Sequence, residues 1–140
     1  MTLNDFPYVT SIKCRFSDVD AMGHVNNAVL VTYFEMGRVD FFAEVLGAAT
    51  LDGIDFIMAH IEVDYLRPVL LGESLRLGVR IPSVGRTSFV FEYLLEADGE
   101  PAVSGRSVQV FFDYETRVKK TVPAAFKELA APYMVSDESR

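Results

Sequence analysis

Apolar and polar residues alternate along most of this chain, and one long apolar block interrupts the alternation. Over Tyr8 to Phe16, the residues Tyr8, Thr10, Ile12, Cys14 and Phe16 share one side, while Val9, Ser11, Lys13 and Arg15 share a more polar one. A period of two is that of a strand. From Ile54 to Arg67 the pattern returns, with Ile57, Ala59, Ile61, Val63 and Tyr65 on one face and Met58, His60, Glu62 and Asp64 on the other, until Pro68 ends it. Glu73 to Ile81 predicts a strand with Leu75, Leu77, Val79 and Ile81 inward, followed by a turn over Pro82 to Arg86. Thr87 to Ala97 places Phe89, Phe91, Tyr93 and Leu95 on one face, and Ala102 to Asp113 is the last long strand. Between these two, Asp98-Gly99 is a hairpin pair.

The apolar block follows a polar, glycine-containing loop, Ser17 to Asn27, which ends in two asparagines able to cap a helix. From there to Leu46 no proline intervenes, and Gly47 stands where a helix ends. Val29, Leu30, Val31, Tyr33, Phe34, Met36, Val39, Phe41, Phe42, Val45 and Leu46 occupy most sides of this helix, which predicts a buried element. Glu35, Arg38, Asp40 and Glu44 argue against a membrane span. Gly37 in mid-helix costs about 1 kcal/mol relative to alanine, so it predicts close packing against a neighbour. A short helix is predicted over Ala124 to Ala130, opened by Pro123, with a frayed tail at the end of the chain.

Strand, long apolar helix and four more strands predict an α+β fold: one antiparallel curved sheet of about five strands wrapped around a central helix. No linker or repeat divides the chain, so 1–140 reads as a single domain with its core over about 8–121 and a tail over 131–140. Open sheet edges and a polar sheet face predict self-association as a dimer or a dimer of dimers. The composition is globular, with 50% apolar and 24% charged residues. The net charge of −7 carries no basic footprint for nucleic acid. Cys14 is the single cysteine, so there is no intrachain disulfide and no cysteine metal cluster. The first residues lack the pattern of a secretory signal, and no apolar run has membrane length, so a cytoplasmic location is expected.

Candidate chemistry concentrates in FSDVDAMGHVNN, Phe16 to Asn27, where Asp18, Asp20, His24, Asn26 and Asn27 precede the helix start. Free amides at a helix N-terminus can polarise a carbonyl and hold a developing oxyanion. A carboxylate beside them can activate water or attack directly, and a histidine can move a proton. Each residue also has a structural reading. Asp18 suits a turn, the two asparagines suit caps, and Gly23 suits a turn or close backbone approach. Neither composition nor spacing chooses between these readings. His60, Glu62 and Asp64 share a strand face, but side chains two residues apart lie about 7 Å from each other, so no metal is expected there.

The segment RFSDVDAMGHVNNAVLVTYFEMGRVDF, Arg15 to Phe41, resembles the signature of the 4-hydroxybenzoyl-CoA thioesterase-like hotdog family, related to the acyl-ACP thioesterases. AHIEVDYLRP, Ala59 to Pro68, and Gly85-Arg-Thr-Ser88 strengthen the likeness, which extends over about Tyr8 to Thr121. The resemblance implies a hotdog fold and hydrolysis of acyl-CoA thioesters, with no cofactor because coenzyme A belongs to the substrate. It implies that Asp20, the second aspartate of Asp18-Val-Asp20, is nucleophile or general base. His24 then assists, and the amide of Asn27 polarises the carbonyl. Arg86 resembles a residue that meets the phosphate or nucleotide end of coenzyme A, and Arg67 is a second candidate. Met22, Gly23, Tyr33 and Phe34 complete the expected substrate-contacting set. Where the acyl-ACP branch has an asparagine two residues after its catalytic aspartate, this chain has Met22, which points away from an acyl-ACP substrate. Glu35, two turns into the helix, is read as structural, beside Arg38. The alternatives are a non-catalytic acyl-CoA-binding protein of the same fold, an acyl-ACP thioesterase, and an acyl-CoA dehydratase or isomerase.

Overall fold

In the computed structural model, residues 1–46 and 55–135 are described. Their elements are β1 (Tyr8–Ile12), α1 (Asn27–Leu46), β2 (Phe56–Tyr65), β3 (Leu75–Val84), β4 (Ser88–Ala97), β5 (Glu100–Asp113), β6 (Val118–Lys119) and α2 (Ala124–Ala130). The alternating segments pair antiparallel in the order β1-β3-β4-β5-β2, with β6 added to β5. The sheet curls around α1, giving the α+β hotdog architecture the pattern implies. The expected helix stop at Gly47 and strand start at Ile54 lie outside the described residues, as does the end of the tail.

The inward alternation of β3 and β4 holds throughout: Leu75, Leu77, Val79, Ile81, Phe89, Phe91, Tyr93 and Leu95 are all buried. Asp98 and Gly99 turn the β4–β5 hairpin with φ of 49° and 81°. Positive φ at both central residues is the requirement of a type I′ turn. Gly37 is explained by contact, since a Cβ there would collide with Leu77 Cδ2. On the opposite side of the sheet, Phe6 packs over Gly78, and the N-terminal residues cover the buried Arg80–Glu92 ion pair, whose closest approach from Arg80 Nε is 3.4 Å.

Three expectations need correction. β1 stops at Ile12, and the chain enters a tight turn over Phe16–Asp18, so Phe16 leaves the buried face and is 82% exposed. In β2 a bulge falls between Met58 and His60, where the register against β5 shifts. The extra residue inverts the phase. Phe56, not Ile57, therefore enters the core, where its ring meets Phe42, Phe89 and Phe111. Helix α1 is not enclosed on all sides within one chain. Leu30, Tyr33, Phe34, Phe41 and Phe42 are buried, whereas Met36 and Val39 on the far side are exposed. No helix among the described residues is long and apolar enough to cross a membrane.

Candidate active site at the start of α1

The loop between β1 and α1 is folded by its own polar groups. Asp20 N–H donates to the His24 carbonyl (2.8 Å), and Gly23 N–H donates to the Asp20 carbonyl (3.0 Å). Gly23 takes φ 78°, the left-handed conformation that favours glycine. The Asp20 carboxylate is oriented through one oxygen, Oδ1, which accepts the amides of Met22 (2.8 Å) and His24 (3.1 Å). Oδ2 has no hydrogen-bond partner among the described residues. One oxygen is thus anchored and the other, among the described residues, is open.

Asn26 is the helix cap, because its side chain accepts Ala28 N–H (2.8 Å) and its carbonyl accepts Leu30 N–H (3.1 Å). Asn27 is therefore the first helical residue, and its amide is one of the donors that a helix start leaves unpaired. Among the described residues it meets no acceptor.

Facing this loop is the segment after β2. Val25 N–H donates to the Val69 carbonyl (2.8 Å) and Leu71 N–H to the Gly23 carbonyl (3.1 Å), so the two loops are stitched together. Between them opens a cleft of about 680 Å³ lined by Asp20, His24, Asn26, Asn27, Val25, Leu30 and the stretch Tyr65 to Val69. That volume suits a small-molecule site. The cleft gathers Asp20, His24, Asn27 and Arg67 from the sequence-predicted set.

Arg67 is present but occupied. Its guanidinium forms a fork with Glu73 (2.8 and 3.1 Å) and also donates to the carbonyls of Ala97 (2.6 Å) and Pro68 (2.8 Å). Glu73 additionally accepts Leu70 N–H at 2.6 Å. The hydrogen bonds from Arg67 hold the Glu73 carboxyl below its usual value against the opposing effect of burial. A carboxylate whose pKa is depressed on folding stabilises the fold above its unfolded pKa, about 4.3. That stability is lost as pH falls through the folded value. Glu73→Gln is expected to lower the melting midpoint at pH 7 by several degrees and to flatten its decline in acid. Thermal melts between pH 3 and 7 check this, and an unchanged midpoint at pH 7 would contradict the latch.

The remaining candidates lie elsewhere. Tyr33 and Phe34 are buried in the core rather than lining the cleft. Tyr33 donates to Asp18 (2.7 Å), and Phe34 stacks on Tyr93 with ring centroids 4.5 Å apart. Met22 is 76% exposed on the loop and, like Gly23, lines no part of the cleft. Arg86 is exposed in the β3–β4 turn, at the far end of a hairpin whose near end, Ala97, touches Arg67. A ten-residue strand separates them, about 30 Å at strand rise. Arg38 donates to the Tyr93 hydroxyl (3.1 Å), and Glu35 is exposed. His60 approaches Glu62 at 3.7 Å, and no group of His, Cys, Asp or Glu among the described residues has metal-holding geometry.

The pattern missed Tyr65, whose hydroxyl donates to the Asn27 carbonyl (3.1 Å) across the cleft. Its place in the alternation made it a core residue, yet it is 46% exposed. Glu73 was missed as well, since nothing in the sequence pairs it with Arg67.

Known proteins share the family and fold of this chain. The model of the thioesterase-like superfamily matches residues 14–129. A thioesterase from Thermus thermophilus, solved in complex with coenzyme A and zinc, is 38% identical. It superposes with a TM-score of 0.82 over 92% of this chain and 96% of that one. The 1,4-dihydroxy-2-naphthoyl-CoA hydrolase of Synechococcus elongatus is 24% identical, covering 81% of this chain and 88% of its own. The long-chain acyl-CoA thioesterase FadM of Escherichia coli is also 24% identical, covering 81% and 87%. With a family match over most of its length and this sheet-wrapped helix, the chain belongs to the thioesterase-like superfamily of hotdog proteins.

Proposed function

We propose that the protein hydrolyses acyl-CoA thioesters in the cleft at the start of α1. The observation that carries this reading is the placement, in one cleft, of Asp20 and the Asn27 amide, with Oδ2 and that amide both unpaired among the described residues. The thioester carbonyl oxygen accepts the Asn27 N–H, and negative charge developing there is stabilised by the helix start. Asp20 draws a proton from water as the water oxygen attacks the carbonyl carbon. Alternatively, Asp20 attacks that carbon itself, and water then cleaves the anhydride. In either course the C–S bond breaks, the thiolate leaves and is protonated, and the acyl group departs as the free acid. His24, on the same wall, orients water. A thioester has a good leaving group, so this sparse set suffices without a serine nucleophile.

The reading as a pure binding protein accounts less well for an anchored carboxylate beside an open helix amide. The relatives named for acyl-CoA substrates favour coenzyme A over a carrier protein.

The phosphates of coenzyme A need cations, and Arg67 is already neutralised by Glu73 and approached by Glu100 at 3.5 Å. Arg86 lies too far along its own hairpin to help its own cleft. A second copy presenting its Arg86 would supply the charge. The exposed far face of α1 and the open edge of β2 are the surfaces through which two copies would join.

Thiol release from short, long, branched and aromatic acyl-CoAs tests the proposal, with the solution mass measured on the same sample. Saturable turnover of at least one class by a species larger than 15.6 kDa is expected. No turnover of any acyl-CoA would reject hydrolysis, and turnover by a monomer would remove the second copy's Arg86.

A further inference from the structure

The buried Asp18 is the group this reaction leaves unused, although it stands two residues before Asp20. It is 3% exposed, and its oxygens are all taken. Oδ2 accepts Arg15 N–H (2.9 Å) and the Tyr33 hydroxyl (2.7 Å), while Oδ1 accepts the Arg15 guanidinium (3.1 Å). Its backbone is committed too. Asp18 N–H donates to the Arg15 carbonyl (2.9 Å), and its carbonyl accepts Asn26 N–H (3.0 Å), the residue that caps α1. Asp18 therefore joins the entrance of the loop, the helix cap and the buried face of α1. Asp20, in contrast, is held only by bonds inside its own loop, to Met22, Gly23 and His24. The loop is stitched to the segment after β2 through Val25 and Gly23, and Asp18 is the side chain that ties it to the buried face of the helix carrying the Asn27 amide.

We infer that the Tyr33–Asp18 hydrogen bond is a positioning pair, which sets the place of the Asp20 carboxylate relative to the Asn27 amide. This rests on the hydrolysis reading for its kinetic consequence but not for its geometry. Neither residue touches substrate, because both are sealed from the cleft. Burial works to raise the Asp18 carboxyl, but the bonds from the Arg15 amide, Tyr33 and the Arg15 guanidinium outweigh it and keep the carboxylate ionised. The Tyr33 hydroxyl is pushed up, first by burial and then by Asp18. The pair is therefore a fixed donor–acceptor contact at neutral pH rather than a proton relay.

Tyr33→Phe keeps the ring in the core and deletes the hydroxyl that bonds Asp18 and lies beside the Cys14 thiol. Misplacement of a catalytic group by about 1 Å costs up to about 100-fold in rate. We expect kcat to fall about 10- to 100-fold with KM changed less than about twofold, in protein shown folded by circular dichroism. The loss should vanish in an Asp20→Asn background, because the pair acts through Asp20. In amide NMR spectra of Tyr33→Phe, the Met22 and His24 signals, whose N–H groups hold Asp20, should move while that of Gly99 stays. An unchanged kcat, or an equal loss in the Asp20→Asn background, would overturn the inference. If the wild type cleaves no thioester, the hydrolysis reading fails by itself, and the NMR spectra alone decide the pair. Shifts at Met22 and His24 then support it, and their absence overturns it.

Discussion

Gly105→Val is expected to cost the fold about 3 kcal/mol or more, the upper range for forcing extra atoms into a packed core. Gly105 lies in β5, opposite Val63 of β2 and Tyr93 of β4. A Cβ at this position would sit 2.5 Å from Phe34 Cε2 and 3.0 Å from the Glu62 carbonyl oxygen. Neither neighbour can retreat cheaply. The carbonyl belongs to an adjacent strand, and the Phe34 ring is fully buried and stacked on Tyr93 with an interplanar angle of 7°. By contrast, the clash that Gly37→Ala would create is chiefly with the end of a leucine side chain, which can rotate. A melting midpoint lowered by roughly 10 °C, or insoluble protein, is the expected result for Gly105→Val. A midpoint within about 2 °C of wild type would show that Phe34 and β2 are not seated on β5 as described.

The legible part of this fold was the part governed by local periodicity. In β3 and β4 the register irregularities, between Arg80 and Ser83 and between Leu95 and Glu96, leave the inward residues in phase, so the alternation survives. In β2 the bulge exchanges Ile57 for Phe56, and no local pattern reports a bulge. Helix α1 gave a correct element but an incomplete environment. Its apolar far side, around Met36 and Val39, is uncovered within one chain.

At the site, the composition of one loop gathered Asp20, His24 and Asn27, because residues close in sequence must be close in space. Its tertiary partners were not legible. Tyr65 and the Arg67–Glu73 latch come from beyond α1 and meet the loop only once the sheet forms. Tyr33 shows the converse limit. The resemblance put it in the substrate-contacting set, but its hydroxyl is used by Asp18 within the core.

Asp20→Asn is expected to lower kcat on the preferred acyl-CoA by about 10²- to 10⁴-fold, the range of a lost general base. KM should change little, because substrate is held by the rest of the cleft. The substitution is nearly isosteric. If the amide presents its oxygen at the Oδ1 position, it still accepts the bonds from Met22 and His24 that fold the loop. The free atom at the Oδ2 position then becomes a neutral amide nitrogen, unable to take a proton from water or to attack a carbonyl. Stability should therefore stay close to wild type, which separates this variant from Gly105→Val.

Thiol release by wild type and Asp20→Asn, measured side by side on the same acyl-CoA with matched folded protein, is the most direct test of the account. Turnover by the wild type that falls at least about 100-fold in the variant, at similar KM and melting midpoint, is the predicted result. Equal rates from the two proteins would show that the carboxylate in this cleft does not perform the hydrolysis, and would contradict the assignment of the active site.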